Sequence, residues 1–118
     1  VSLTPELILR RAAALISERG LVKGGLSDGQ GAYCSLGALR MATAGSINFS
    51  GLDRGLSAED LNAYQYACVA LRDEIRYYAS TGSGSIPAWN DMPNRKKDEV
   101  SRVMLAAADR IESARGGS

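Results

Sequence analysis

The sequence predicts an all-α fold: a compact four-helix domain joined by long, glycine-rich loops. Three observations carry that reading. Apolar residues recur at spacings of three and four in several segments, two helix-start signals stand at Thr4-Pro5 and Ser57, and no stretch shows the alternation of a half-buried strand. A chain of 118 residues, 45% of them hydrophobic, suits one domain, with its core over about residues 5–112.

The first helix is expected over Pro5–Arg19. Thr4 supplies the N-cap, Pro5 takes the first position where a missing N–H costs nothing, and Glu6 suits the positive end of the dipole. Ile8, Ala12, Leu15 and Ile16 make its apolar stripe, Arg10, Arg11 and Arg19 are expected to face solvent, and Gly20 stops it. Five glycines between 20 and 31 then break any regular element, so this stretch reads as a loop with at best a short extended piece near Leu21.

A second helix is expected over 32–43, with Leu36, Leu39 and Ala42 inward and Gly37 and Ala38 permitting close approach. Residues 45–55 follow as an irregular connection, with Ile47, Phe49 and Leu52 tucked onto the core. The third helix opens at Ser57, with Asp60 at the capping-box position, and ends near Ser80. Its stripe is Leu61, Tyr64, Cys68, Leu71, Ile75 and Tyr78, of which Leu61, Cys68, Leu71 and Ile75 are expected among the most buried residues. Tyr66 and Tyr77 fall outside it, under a loop or at a contact with another chain. A flexible linker over 81–85 and a turn over 87–94 lead to a last helix from Arg95 to Arg115, with Val100, Val103, Met104, Ala107 and Ile111 inward.

Composition narrows function by exclusion. With 14 basic and 13 acidic residues the net charge is +1, which disfavours a dedicated nucleic-acid or membrane-surface protein. The absence of histidine removes the commonest general base and the usual zinc ligand, and no phosphate loop or metal-ligand spacing stands in its place, so no cofactor is expected. Cys34 and Cys68 both fall within expected helices among apolar neighbours, which predicts reduced, unlinked thiols. Arg10 and Arg11 interrupt the only apolar run near the N-terminus, and no run approaches the length of a membrane span. A cytoplasmic protein is the expectation.

Two segments hold residues that no amphipathic period explains: Tyr33-Cys34-Ser35-Leu36-Gly37-Ala38-Leu39 and Trp89-Asn90-Asp91-Met92-Pro93. Cys34 lies near a helix start, where backbone donors can activate a thiol, and Asn90 and Asp91 are the polar groups available to assist it. The plainer reading makes Cys34 a small buried hydrophobe and Trp89 a packing group beside a turn set by Asn90 or Asp91. In either case free donors at a helix start attract an Asn or Asp side chain, so the Trp89–Pro93 segment is expected against the start of the second helix. Arg95, Lys96 and Lys97 place positive charge at a helix N-terminus, against the dipole.

These two segments resemble an uncharacterised small-domain family encountered in actinobacteria and their phages, whose members carry a Cys-x-Leu-Gly-Ala helix and a Trp-Asn-Asp-x-Pro turn before a charged last helix. The resemblance covers about residues 5–112 and matches at Cys34, Leu36, Gly37, Ala38, Trp89, Asn90, Asp91, Pro93, Arg95, Glu99 and Val100. Lys96 stands where the family is expected to have threonine as a cap, which shifts the expected cap of the last helix to Asn94 or Asp91. The resemblance implies a bacterial or phage setting and no particular activity.

Three function classes follow. The leading one is a small binding or regulatory module that contacts a host protein or its own copy, as a homo-oligomer, through Trp89, Asn90, Asp91 and Arg95. The second is a cysteine-dependent enzyme using Cys34 with Asn90 and Asp91. The third is DNA binding through Arg95, Lys96 and Lys97, which the near-neutral charge and the acidic neighbours weaken.

Overall fold

The computed structural model describes residues 3–47, 56–78 and 85–116, and among them it is a compact helical protein with a Cα radius of gyration of 13.5 Å. The described residues form five helices: α1 Pro5–Arg19, α2 Ser35–Ala44, α3 Ala58–Tyr78, α4 Ile86–Asn90 and α5 Lys97–Gly116. The expected count of four is corrected by α4, a short helix on the segment expected to turn. Its start has the chemistry of α1: the Ser85 side chain accepts the Ala88 N–H at 3.1 Å and a proline sits in the first turn, as the Thr4 side chain accepts the Leu7 N–H at 3.2 Å ahead of Pro5. Phe49, Leu52 and the 81–84 part of the expected linker lie outside the described residues.

α1 has its expected bounds, and Gly20 ends it at φ 104°, a conformation that favours glycine. α2 starts three residues later than expected, because the backbone at 32–34 pairs with the preceding loop instead of coiling. Val22 N–H donates to the Tyr33 carbonyl, Tyr33 N–H to Gly20 and Cys34 N–H to Leu26. Cys34 is therefore the N-cap of α2 and not a residue within it.

α1 packs most extensively on α5 and next on α2, α3 crosses both α1 and α5, and α4 fills the corner between α2 and α3. Ile8, Leu9, Ile16, Leu39, Leu71, Ile75, Val100 and Met104 are fully buried between them. Each contributes on the order of 1.5–3 kcal/mol by leaving water. The buried face of α3 differs from the expected stripe. Leu71 and Ile75 are in the core, but Leu61 and Cys68 are only half-buried, while Ala63, Ala67 and Glu74 are buried. At 3.6 residues per turn Leu61 and Cys68 stand about 60–80° to one side of Leu71. The small Ala63 and Ala67 let neighbouring helices approach on the other side, which turns the buried face toward them. On α5 Val103 is likewise half-buried, with Ala108 in the core.

Candidate functional site

The two unexplained segments meet in one hydrogen-bonded knot. Asn90, 1% exposed at the end of α4, accepts at Oδ1 from the Ser35 N–H at 2.7 Å and the Ser35 hydroxyl at 2.6 Å. Its Nδ2 donates to the Val22 carbonyl at 2.8 Å and to Asp91 Oδ1 at 3.0 Å. One side chain thus fills all its hydrogen-bonding capacity while tying α4 to the first residue of α2 and to the loop after α1. Ser35 is one of the orphan donors of a helix start, which is why an amide oxygen settles there.

Asp91 continues the knot on the exposed side, where its Oδ1 also accepts the Gly24 N–H at 3.0 Å. That backbone bond, then the Asn90 amide and the Lys23 charge, lower its carboxyl below the ordinary value. Lys23 donates to the carbonyls of Met92 at 2.6 Å and Pro93 at 3.0 Å. On the α2 side Cys34 Sγ accepts the Gly37 N–H at 3.3 Å. At Gly37 a Cβ would lie 2.1 Å from the Leu26 carbonyl oxygen, so any side chain there must displace the Leu26 backbone.

Trp89 is 4% exposed in the core, and the Arg95 guanidinium lies over its ring at 4.5 Å. Arg95 also donates to the Trp89 carbonyl at 3.0 Å and to Glu99 at 2.7 Å. It precedes α5, whose first backbone bond runs from Val100 to the Lys96 carbonyl, so it is not a charge opposing the dipole from within the helix. The expected cap for α5 is corrected too: Asp91 is committed to the knot, and Asn94 caps nothing among the described residues. Lys96 and Lys97 are exposed beside Asp98.

Between the 20–34 loop, α2 and α4 the knot leaves a niche of about 260 Å³, lined by Gly24, Gly25, Leu26, Cys34, Leu36, Pro87, Asn90 and Asp91. Cys34 and Asp91 therefore share one concavity, with an apolar wall of Leu26, Leu36 and Pro87 and a single carboxylate. Of the residues singled out in the sequence, Cys34, Asn90 and Asp91 line this niche, while Trp89 and Arg95 brace it from behind.

Sequence reasoning missed the ion pairs made by Glu74 and by Arg10. Glu74 is 2% exposed and receives Arg110 Nε at 2.7 Å, with Arg110 lying over the Tyr77 ring at 4.6 Å. Arg10, expected in solvent, is half-buried and donates to Asp109 and Glu112, each at 2.8 Å. The spacing of Glu74 from Leu71 and Ile75 was its only signal. Both cysteines are free thiols, and burial pushes the Cys68 thiol up. Among the described residues no group of three acidic or cysteine side chains is placed to hold a metal, and no helix is long and apolar enough to cross a membrane.

A helical protein whose two signature segments close into one knot around a small niche is the class that fold and site define. The chain belongs to a family described as "Family of unknown function (DUF6197)", whose model matches residues 1–110. No curated protein and no solved structure matches it.

Proposed function

We propose that this protein is a small binding module that seats one basic side chain of a partner protein in the niche beside Asp91. The observation that carries the reading is the pairing of an exposed carboxylate with an apolar wall in a space of about 260 Å³. Such a space takes one long side chain, its stem along Leu26, Leu36 and Pro87 and its charged head at Asp91, as lysine and arginine commonly lie. The knot supports this by fixing the wall before a partner arrives, which reduces the ordering cost of binding. Free thiols support a cytoplasmic setting; the phage and actinobacterial setting rests on the family resemblance.

The test is a panel of capped peptides that differ only in a central arginine, lysine, norleucine or glutamate, titrated while the Gly24, Gly25 and Leu36 amide signals are followed by NMR. Arginine and lysine peptides are expected to shift those signals saturably. Asp91→Asn, which keeps the acceptor for Gly24, is expected to abolish the shift with little change in melting. Equal shifts from the glutamate peptide, or none from any, overturn the proposal.

The enzyme reading has less support. The Cys34 sulfur is engaged by Gly37, every polar atom of Asn90 is engaged, and no second acid–base group lines the niche. DNA binding through Arg95, Lys96 and Lys97 has less again, since Arg95 is held by Trp89 and Glu99.

A further inference from the structure

Two opposite charges stand at the rim of the niche, and neither is spent. Asp91 gives only one of its oxygens to the knot: Oδ1 takes the Gly24 N–H and the Asn90 amide, each at 3.0 Å. Its Oδ2 has no partner among the described residues, so the carboxylate keeps one oxygen open to an incoming donor.

Lys23 is the other charge. Its ammonium donates to the Met92 carbonyl at 2.6 Å and the Pro93 carbonyl at 3.0 Å, which leaves the third of its N–H bonds without a partner among the described residues. Those carbonyls belong to the two residues after Asp91, so the ammonium stands one to two residue lengths from it along the chain, roughly 4–8 Å. That is near enough for its charge to be felt at the carboxyl. Yet Lys23 and Asp91 make no ion pair with each other, because the carbonyls hold the ammonium and the knot holds the carboxylate. Both side chains are exposed.

We propose, building on the niche as the seat of a basic side chain, that the partner segment carries an aspartate or glutamate within two residues of that basic residue, and that this acid pairs with Lys23 while the basic head pairs with Asp91. A basic residue arriving alone meets the like charge of Lys23 beside its own seat, which offsets part of the attraction. A segment bearing both signs meets each charge with its opposite, and one with a second basic residue at that place is repelled. The spacing agrees, since residues one or two apart in any segment span the same few ångströms as the two rim charges. Side-chain length agrees as well. The long basic stem runs down the wall of Leu26, Leu36 and Pro87, whereas a short acid stays at the rim, where Lys23 is.

The test is a set of capped peptides of one length and one net charge, each with a single lysine and a single aspartate placed one, two or six residues away, titrated while the Gly24 and Gly25 amide signals are followed by NMR. The better of the two near placements is expected to bind about threefold tighter than the distant one, the scale of an exposed ion pair. Lys23→Gln, whose amide still donates to the Met92 carbonyl, is expected to level the series. A Lys23 that served only to hold the loop would instead weaken every peptide alike. Equal affinities across the series, or a preference that persists in Lys23→Gln, overturn this inference and leave the niche as a seat for a basic side chain. No saturable binding by any of the lysine peptides overturns both.

Discussion

Asn90 shows how much one side chain can hold. Because it is buried with both amide hydrogens and both oxygen lone pairs engaged, Asn90→Ala strands the Ser35 donors and the Val22 carbonyl, and is expected to cost about 2–4 kcal/mol in chemical denaturation. Gly37→Ala is expected to destabilise by about 1–3 kcal/mol, since the added methyl must displace the Leu26 backbone rather than a pliant side chain. Asp91 predicts a pH effect of definite sign. Its carboxyl is lowered in the folded state, so its contribution is present above the unfolded value of 3.8 and is lost as pH falls through the folded value. Protection of the Gly24 amide, taken relative to its intrinsic exchange rate at each pH, is expected to fall only as pH drops below 3.8, while core amides stay protected. An acid profile flat at Gly24 would remove this role. That the Trp89–Pro93 segment lies against the start of α2 was legible, because orphan helix donors need partners and the motif had no periodic duty. That Cys34 is the cap was not, because sulfur is a weak acceptor where serine or aspartate is usual.

At the scale of elements, α1 was legible to the residue because cap, proline, stripe and stop all agree. α3 was legible as a helix but not in its rotation, since a periodic pattern fixes the apolar face only to within the width that alanines leave open. The difference is measurable: Leu71→Asp is expected to cost several kcal/mol, about the scale of an unpaired buried charge, and Leu61→Asp far less. Equal losses in thermal melts of the two variants would contradict the rotated face. α4 escaped notice because five residues are too few to show a period, although Ser85 and Pro87 repeat the start signal of Thr4 and Pro5.

Across the whole molecule, the first and last helices close the structure on each other. Glu6, buried in the first turn of α1, pairs with Arg115 in the last turn of α5, and Arg10 bridges Asp109 and Glu112 one layer further in. Arg115 is more than half exposed, so its pairing is screened by solvent. Glu6 is not, and its Oε1 makes no hydrogen bond among the described residues. Arg115→Met is therefore expected to destabilise by about 1 kcal/mol, chiefly by stranding the Glu6 carboxylate. Adding Glu6→Gln is expected to recover most of that loss, a coupling that a double-mutant cycle reads directly. None of this was legible locally, since the partners stand 99 to 109 residues apart.

The loop after α1 has another side. A glycine-rich exposed stretch with a lysine at its centre is ordinarily where a protease enters a native protein. Here the bond after Lys23 lies between two anchors, the lysine ammonium on the Met92 and Pro93 carbonyls and the Gly24 N–H on Asp91. A chain must leave such anchors and extend before trypsin can accommodate it, so cleavage after Lys23 is expected to be slow in the native protein. Asp91→Ala is expected to open that bond to trypsin without unfolding the helices, and the resulting fragment, resolved by mass, would report the loosening of a single loop.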